Sequence, residues 1–320
     1  EHPFDQGQGW AQEPWSQEEM PLDSAFVGKI AAESDTALVI IGRTAGEDRD
    51  AKGERGSYYL SEGEEEMLKQ VCAAFDRVVV ALNVGSIIDM NWVETYKPQA
   101  VLYTWQGGME GGHAAADILT GRVNPSGKVA ATIAFSEKDY PAAENFGGEE
   151  GNRYAEDIYV GYRYFETFDS AKDKVHYPFG FGLSYTSFDI NCNMENAENG
   201  CTFRIRVKNT GAFSGKEVVQ IYVSAPQGKL GKPARSLAAF AKTNYLEPGE
   251  EQVLLVSVEK QVFASYDDSG VTGNKSCYVL EPGTYRFYVG TDVRSAKQAG
   301  SIELDRLEVL ERCTEALAPA

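Results

Sequence analysis

An open, mostly parallel α/β sandwich followed by an all-β sandwich is the fold class the sequence predicts, on three observations. Apolar runs at residues 37–42, 77–83 and 100–104 alternate with segments of helical period, the order expected of a parallel sheet with right-handed crossovers. From Ser187 to about Val309 the hydrophobic period falls to two, with turn residues between the runs, as in a β-sandwich. At 320 residues the chain is long enough for about two cores.

Residues 1–21 carry Gly7, Gly9, Pro14 and Pro21 with Trp10 and Trp15 and no periodicity, so they read as an N-terminal arm. The α/β domain is assigned to 22–186. It opens with a helix whose apolar positions are Leu22, Phe26, Val27, Ile30 and Ala31, capped by Asp23 or Ser24. Residues 37–42 then form a strand buried on both faces. Ser61 and Glu64 make a capping box for a helix running to about Phe75 with Met67, Leu68 and Val71 buried. A second strand at 77–83, a short helix at 90–95, a third strand at 100–104 and a helix at 110–119 ended by Gly121 complete the series. Three strands are thin for such a sheet, whose inner strands need neighbours on both edges; the domain reads as incomplete at its N-terminal side.

Asn124-Pro125-Ser126-Gly127 is a turn, and 139–186 is a long loop rich in glycine and aromatics. Its rings either form a sugar-stacking platform or pin the loop to the domain behind it, and large rings are usually recruited for packing. Residues 187–310 form a sandwich of immunoglobulin or fibronectin type, with strands at 202–207, 217–223, 251–258 and 285–289 and no catalytic signal. Residues 311–320 read as the start of a linker.

The net charge of −18 and pI near 4.7 argue against nucleic acid or an anionic membrane as partner. Five cysteines without short paired spacing favour a reducing compartment, hence the cytoplasm, while a chain starting at Glu1 leaves export open. Cys192 and Cys201 could face each other across a hairpin, but reduced core thiols are expected. Asn274-Lys275-Ser276 satisfies the glycosylation pattern, which carries weight only for an exported protein.

No phosphate loop, dinucleotide fingerprint or nucleophile elbow is present, and His2, His113 and His176 lack metal-ligand spacing; no cofactor and no metal are expected. Carboxylates remain. Open α/β sheets place ligands beyond the carboxyl ends of their strands, so the loop after Gly42 is the first place to look. Glu47 is the best candidate for a proton donor, which needs a raised pKa, with Asp48, Asp50 and Glu54 as competitors. Arg43 and Arg49 would orient a carboxylate or offset the local negative charge.

Several motifs in series resemble glycoside hydrolase family 3, the β-glucosidase and β-xylosidase family. They are Gly46-Glu47 with Asp48-Arg49, Tyr59-Leu60-Ser61, Leu82-Asn83-Val84-Gly85, residues 105–112 (WQGGMEGG), residues 124–128 (NPSGK), residues 160–164 (VGYRY) and residues 178–185 (PFGFGLSY). The resemblance implies a fibronectin type III-like domain after the sandwich, and a retaining, exo-acting glycosidase acting on terminal β-D-glucosyl residues. Its nucleophile would be an aspartate on a TIM barrel, and its general acid/base the position matching Glu47. The common family form inserts residues before Asp-Arg, whereas here Asp48-Arg49 follow Glu47 directly, which keeps Asp50 and Glu54 as reserves. Arg43, Asp48, Arg49, Tyr103 and Trp105 are the implied substrate contacts; for Tyr103 and Trp105, core packing is the alternative.

Neither the barrel nor its nucleophile stretch is in this sequence. The resemblance therefore implies a piece of a β-glucosidase of reversed domain order, inactive without its barrel and partnered by that barrel and a β-glucoside. A homo-oligomer is compatible with this. The competing readings are β-xylosidase specificity or a non-catalytic carbohydrate-binding or scaffold module.

Overall fold

Thr36–Gly42 (β1), Arg77–Asn83 (β2) and Ala100–Tyr103 (β3) form a parallel sheet in the order β1-β2-β3, with Gly42 opposite Asn83 and Leu82 opposite Tyr103. The computed structural model describes residues 14–44, 51–148 and 150–315. They fall into two compact units. The first runs through Thr120 and includes Ile133–Glu137; the second comprises Gly121–Thr132 and the chain from Lys138 onward.

In the first unit the helices are Ser24–Ala31 (α1), Glu62–Ala74 (α2), Trp92–Tyr96 (α3) and Gly111–Leu119 (α4). Asp23 caps α1 by accepting from Phe26 N, and Ser61 and Glu64 close the capping box of α2 in both directions. Gly121 follows α4 with φ +74°, a conformation that favours glycine. The core joins Val39 and Ile41 of β1 to Leu68 and Val71 of α2 and to Val78, Val80 and Leu82 of β2. β1 was expected to be buried on both faces. Its other face is open among the described residues, with Leu38 49% and Ile40 60% exposed, so the continuous apolar run reflects more burial than these residues supply.

The second unit begins in aromatic-rich chain. Where a loop was expected, Tyr162–Thr167 (α5) and Asp169–Lys172 (α6) are short helices. Tyr162 stacks on Phe179 at 4.4 Å and its hydroxyl accepts from Leu237 N, while Thr167 Oγ1 accepts from Ala234 N. These rings pin the segment into the β-rich unit. Asn124 does the same for two motifs: its Oδ1 accepts from Ser184 Oγ and Tyr185 N, and its Nδ2 donates to Ser214 O. Residues 124–128 and 178–185 are thus interlocked structural segments.

With Ile133–Ala134 (β4) and Val175–Tyr177 (β5) preceding, the sandwich strands are Phe188–Ala197 (β6), Gly200–Asn209 (β7), Val218–Ser224 (β8), Ser236–Lys242 (β9), Glu251–Glu259 (β10), Ser265–Asp267 (β11), Cys277–Leu280 (β12), Gly283–Gly290 (β13), Lys297–Leu304 (β14) and Glu308–Arg312 (β15). They build sheets β10-β7-β6, β14-β13-β8-β9 and β11-β12-β15, closing over a core that includes Phe203, Ile205, Ile221, Phe263, Tyr285 and Phe287. Buried Tyr285 donates its hydroxyl to Glu281 O, which satisfies the polar tip of a core ring. Cys192 lies opposite Ile205 and Cys201 opposite Asn196, and both thiols are free.

Two outcomes are expected. Thiol titration of the denatured chain finds no Cys192–Cys201 disulfide. Asp267, the last residue of β11, is buried and accepts from the turn that follows, from Gly270 N, Val271 N, Thr272 N and Thr272 Oγ1. Burial pushes its carboxyl up, but these bonds outweigh it and hold the pKa below the ordinary aspartate value. A depressed folded pKa stabilises above the unfolded pKa and stops doing so as pH falls through the folded one. Asp267→Asn is therefore expected to cost roughly 1–3 kcal/mol at neutral pH, a deficit that shrinks in acid denaturation series.

Candidate active site

The parallel register brings the ends of β1, β2 and β3 to one side of the first unit. Arg43 N donates to Asn83 O, and Thr104 N to Leu82 O, extending the ladder by one residue on each side of β2. Gln106 reaches from the β3 end to Arg43 O, 3.4 Å away. Its amide lies where a Cβ on Gly85 would sit, 2.8 Å from Oε1, so only glycine after β2 permits this approach.

Arg43 is the most enclosed charge of the strand ends, 7% exposed, and its ion-pair partner Glu64 is 1% exposed. Nε donates to Ser57 O at 3.0 Å; Nη1 donates to Gly42 O and Glu64 Oε1; Nη2 donates to Tyr59 O and to Glu64 Oε2 at 2.9 Å. All five N–H donors of a guanidinium are thereby used. Arg43 was expected to contact substrate; burial and full occupancy of its donors leave it no group to offer a sugar, and it ties β1 to residues 57–59 and to the first turn of α2.

The segment returning to α2 is tightly bonded: Tyr58 N donates to Lys52 O, Ser57 N and Tyr59 N to Glu54 O, Gly56 N to Tyr59 O, and Asp89 N to Tyr58 O. Glu137 presses its carboxylate on Gly53, where a Cβ would meet it at 1.8 Å. Tyr59 is held above the usual phenol range by burial, with the charges of Glu137 and Asp89 adding to it. Glu54 lies in this turn with its side chain in solvent. Glu47, Asp48, Arg49 and Asp50 lie outside the described residues.

Tyr103 and Trp105 are half-buried and lie together at the end of β3, ring centroids 4.4 Å apart, with the Tyr103 hydroxyl donating to Ser86 O. Trp105 holds φ +56°, a costly conformation for an aromatic residue that a surrounding structure must impose. Among the described residues no group of three or more His, Cys, Asp or Glu is arranged to hold a metal ion, and no helix is long and apolar enough to cross a membrane.

Sequence reasoning missed three participants. Glu64 was visible only as a capping residue, because nothing local links it to an arginine 21 positions earlier. Gln106 sat inside a glycine-rich motif whose partner, Arg43 O, is 63 positions away. Glu19 lies across Gly63 at the start of α2, its Cβ 3.1 Å from where a Gly63 Cβ would sit. Its carboxyl is pushed up by burial and by the negative charge of Glu64, with Arg43 partly offsetting both.

Truncating one partner of a buried ion pair leaves the other uncompensated, so Arg43→Ala is expected to destabilise by about 3–5 kcal/mol in denaturant unfolding. Glu19 gives a signed pH test. A folded pKa raised above the unfolded value means that ionised Glu19 costs stability at neutral pH, a cost absent below the ordinary glutamate pKa. Glu19→Gln is expected to raise the thermal midpoint at pH 7 and to leave it unchanged near pH 3.5; equal effects at both would contradict the assignment.

Comparison with known proteins gives this geometry its family. Residues 19–185 match the glycosyl hydrolase family 3 C-terminal domain, just over half of the chain, and residues 217–293 match the fibronectin type III-like domain. The chain is 52% identical over 319 residues to a β-glucosidase of Ruminococcus albus, covering all of this chain and 34% of that protein. It is 40% identical to β-glucosidase A of Butyrivibrio fibrisolvens, covering 94% of this chain and 41% of that one. Among solved structures, a β-glucosidase of Paenibacillus barengoltzii superposes with TM-score 0.94 at 51% identity over 99% of this chain and 36% of its own. β-Glucosidase 3B of Thermotoga neapolitana, solved with α-D-glucose, superposes with TM-score 0.83 at 36% identity, covering 91% of this chain and 40% of its own. The chain thus spans about a third to two-fifths of the length of these relatives. With a parallel α/β unit matching the family's C-terminal domain and a β-sandwich matching the domain that follows it, this chain belongs to glycosyl hydrolase family 3.

Proposed function

We propose that this chain supplies the general acid/base of a retaining, exo-acting β-glucosidase that releases terminal β-D-glucosyl residues, its aspartate nucleophile lying on a TIM barrel outside this sequence. The observation carrying the reading is the convergence of three parallel strand ends at residues 42–44, 83–86 and 103–106, the acidic sequence Gly46-Glu47-Asp48 beginning three positions after the anchored Arg43. The relatives named above, β-glucosidases throughout, support it.

Glu47 is the proton donor in this reading. In the first step its neutral carboxyl protonates the glycosidic oxygen as the nucleophile attacks the anomeric carbon; in the second its carboxylate takes a proton from the water that cleaves the glycosyl-enzyme, the two carboxyls being about 5–5.5 Å apart. The cycle is self-consistent electrostatically. The ionised nucleophile raises the donor's pKa before attack, and esterification removes that charge, so the donor becomes a base when one is needed. Asp48 and Arg49, which follow the donor in sequence, are candidate substrate contacts, with Asp50 and Glu54 in reserve. Trp105 and Tyr103 offer an aromatic surface on the aglycone side. No cofactor enters the reaction.

The test uses the full-length protein that carries this sequence. Glu47→Gln is expected to lower kcat/KM for substrates with poor leaving groups by about 10²–10⁴-fold, the usual worth of general acid catalysis, and to spare 2,4-dinitrophenyl β-glucoside. Equal loss on both substrates would contradict the role. This 320-residue chain alone is expected to hydrolyse neither; measurable turnover by it would place the nucleophile within these residues.

A further inference from the structure

We propose that the open side of β1 is an interaction surface whose occupant is a further parallel β-strand with a helix packed over it, supplied by the part of the polypeptide outside this sequence. The strand leaves a face and an edge uncovered together. Leu38 and Ile40 are 49% and 60% exposed, while Val39 and Ile41, on the opposite face, are buried. Among the described residues β2 is the one strand paired with β1. Arg43 N donates to Asn83 O, and Arg77 N to Asp35 O, so the period of two turns the odd-numbered backbone groups of β1 toward β2. Those of Leu38 and Ile40 point away from it.

No device in the strand blunts this edge. Free edges are ordinarily guarded by charge, proline or a bulge, yet Thr36–Gly42 reads TALVIIG and keeps an unbroken register with β2 from Thr36 opposite Arg77 to Gly42 opposite Asn83. Ser34 Oγ engages the backbone N–H and C=O of Thr36, which leaves Leu38 and Ile40 as the open stretch. On the same face Ile40 lies beside Ala81, which is buried, and Leu38 beside Val79, which is half-buried. The face therefore opens from β2 toward β1. α1, which leads into β1, shows the same excess of apolar surface, with Phe26 and Ile30 four positions apart on one side of the helix and both exposed.

The geometry selects the occupant. Parallel sheets occur with both faces covered, so this one calls for a strand on its edge and a helix on its face. A second copy of the chain would bring β1 against β1 across a twofold axis. That closes the edge by antiparallel pairing and carries no helix onto Leu38 and Ile40. The patch is uncharged, so its complement is apolar. This chain spans about a third to two-fifths of the length of its relatives, and a protein of their length carries ample further chain for both elements.

The full-length protein tests this first without a substitution. Amide exchange at single-residue resolution is expected to be as slow at Leu38 and Ile40 as at Val39 and Ile41. Photo-leucine incorporated at position 38 is expected to cross-link to a peptide of the same molecule outside these 320 residues. Ile40→Lys is expected to lower the thermal midpoint by about 5 °C or more, whereas at a solvent-exposed site the change stays within about 2 °C. Fast exchange at Leu38 and Ile40, or a midpoint shift of the smaller size, overturns the proposal. So does a cross-link to another residue of this sequence, or one between light and heavy molecules of an isotopic mixture, the mark of a second copy. Absence of a cross-link from position 38 while photo-leucine at buried Leu68 gives one overturns it as well.

Discussion

One guanidinium sets the terms for the first unit. Arg43 is placed out of water at the end of β1, where an unmatched charge would cost several kcal/mol after relaxation. Burial therefore demands that its surroundings be built to match it. The match comes from three carbonyls of two segments, the end of β1 and the return segment, and a carboxylate from a helix turn. Since each partner is itself held by backbone bonds, the demand spreads outward into the strand, the return segment and α2.

The neighbouring features follow from the same close fit. Gln106 can meet Arg43 O because Gly85 has no side chain, and Glu137 can approach Gly53 for the same reason. Trp105 adopts φ +56° between Thr104, bonded to Leu82 O, and Gln106. Strain of this kind persists only where the surrounding contacts over-determine the backbone. The result is a firm rim at the carboxyl ends of the strands, the side of an open α/β sheet where ligands bind, and functional loops depend on a rigid scaffold of this sort.

Much of this architecture was legible because its signals are local. The capping box of Ser61 and Glu64 and the apolar runs located α2, β1, β2 and β3 to within a residue or two. What the sequence hid depended on distant partners. β6 and β9 are edge strands that escaped notice: β6 alternates Phe188, Ile190, Cys192 and Met194 with residues of low strand propensity, asparagine, aspartate and glutamate, and β9 is rich in alanine, which mutes its alternation. α5 was read as loop because six residues with three aromatic rings carry no helical stripe. Arg43, beside four further charges in a strand-end loop, looked like a residue meant for solvent or substrate. Only the fold reveals that Ser57, Tyr59 and Glu64 surround it.

The claim that Arg43 ties β1 to the return segment and to α2 is tested most directly by hydrogen exchange across residues 51–61 in the wild type and Arg43→Lys. Ser57, Tyr58 and Tyr59 amides are donors in the return segment, and Leu38–Ile41 amides belong to the sheet. The account predicts faster exchange confined to residues 54–61, with β1, β2 and the later turns of α2 unchanged. Unaltered exchange in the segment, or a uniform loss of protection throughout the unit, would contradict it.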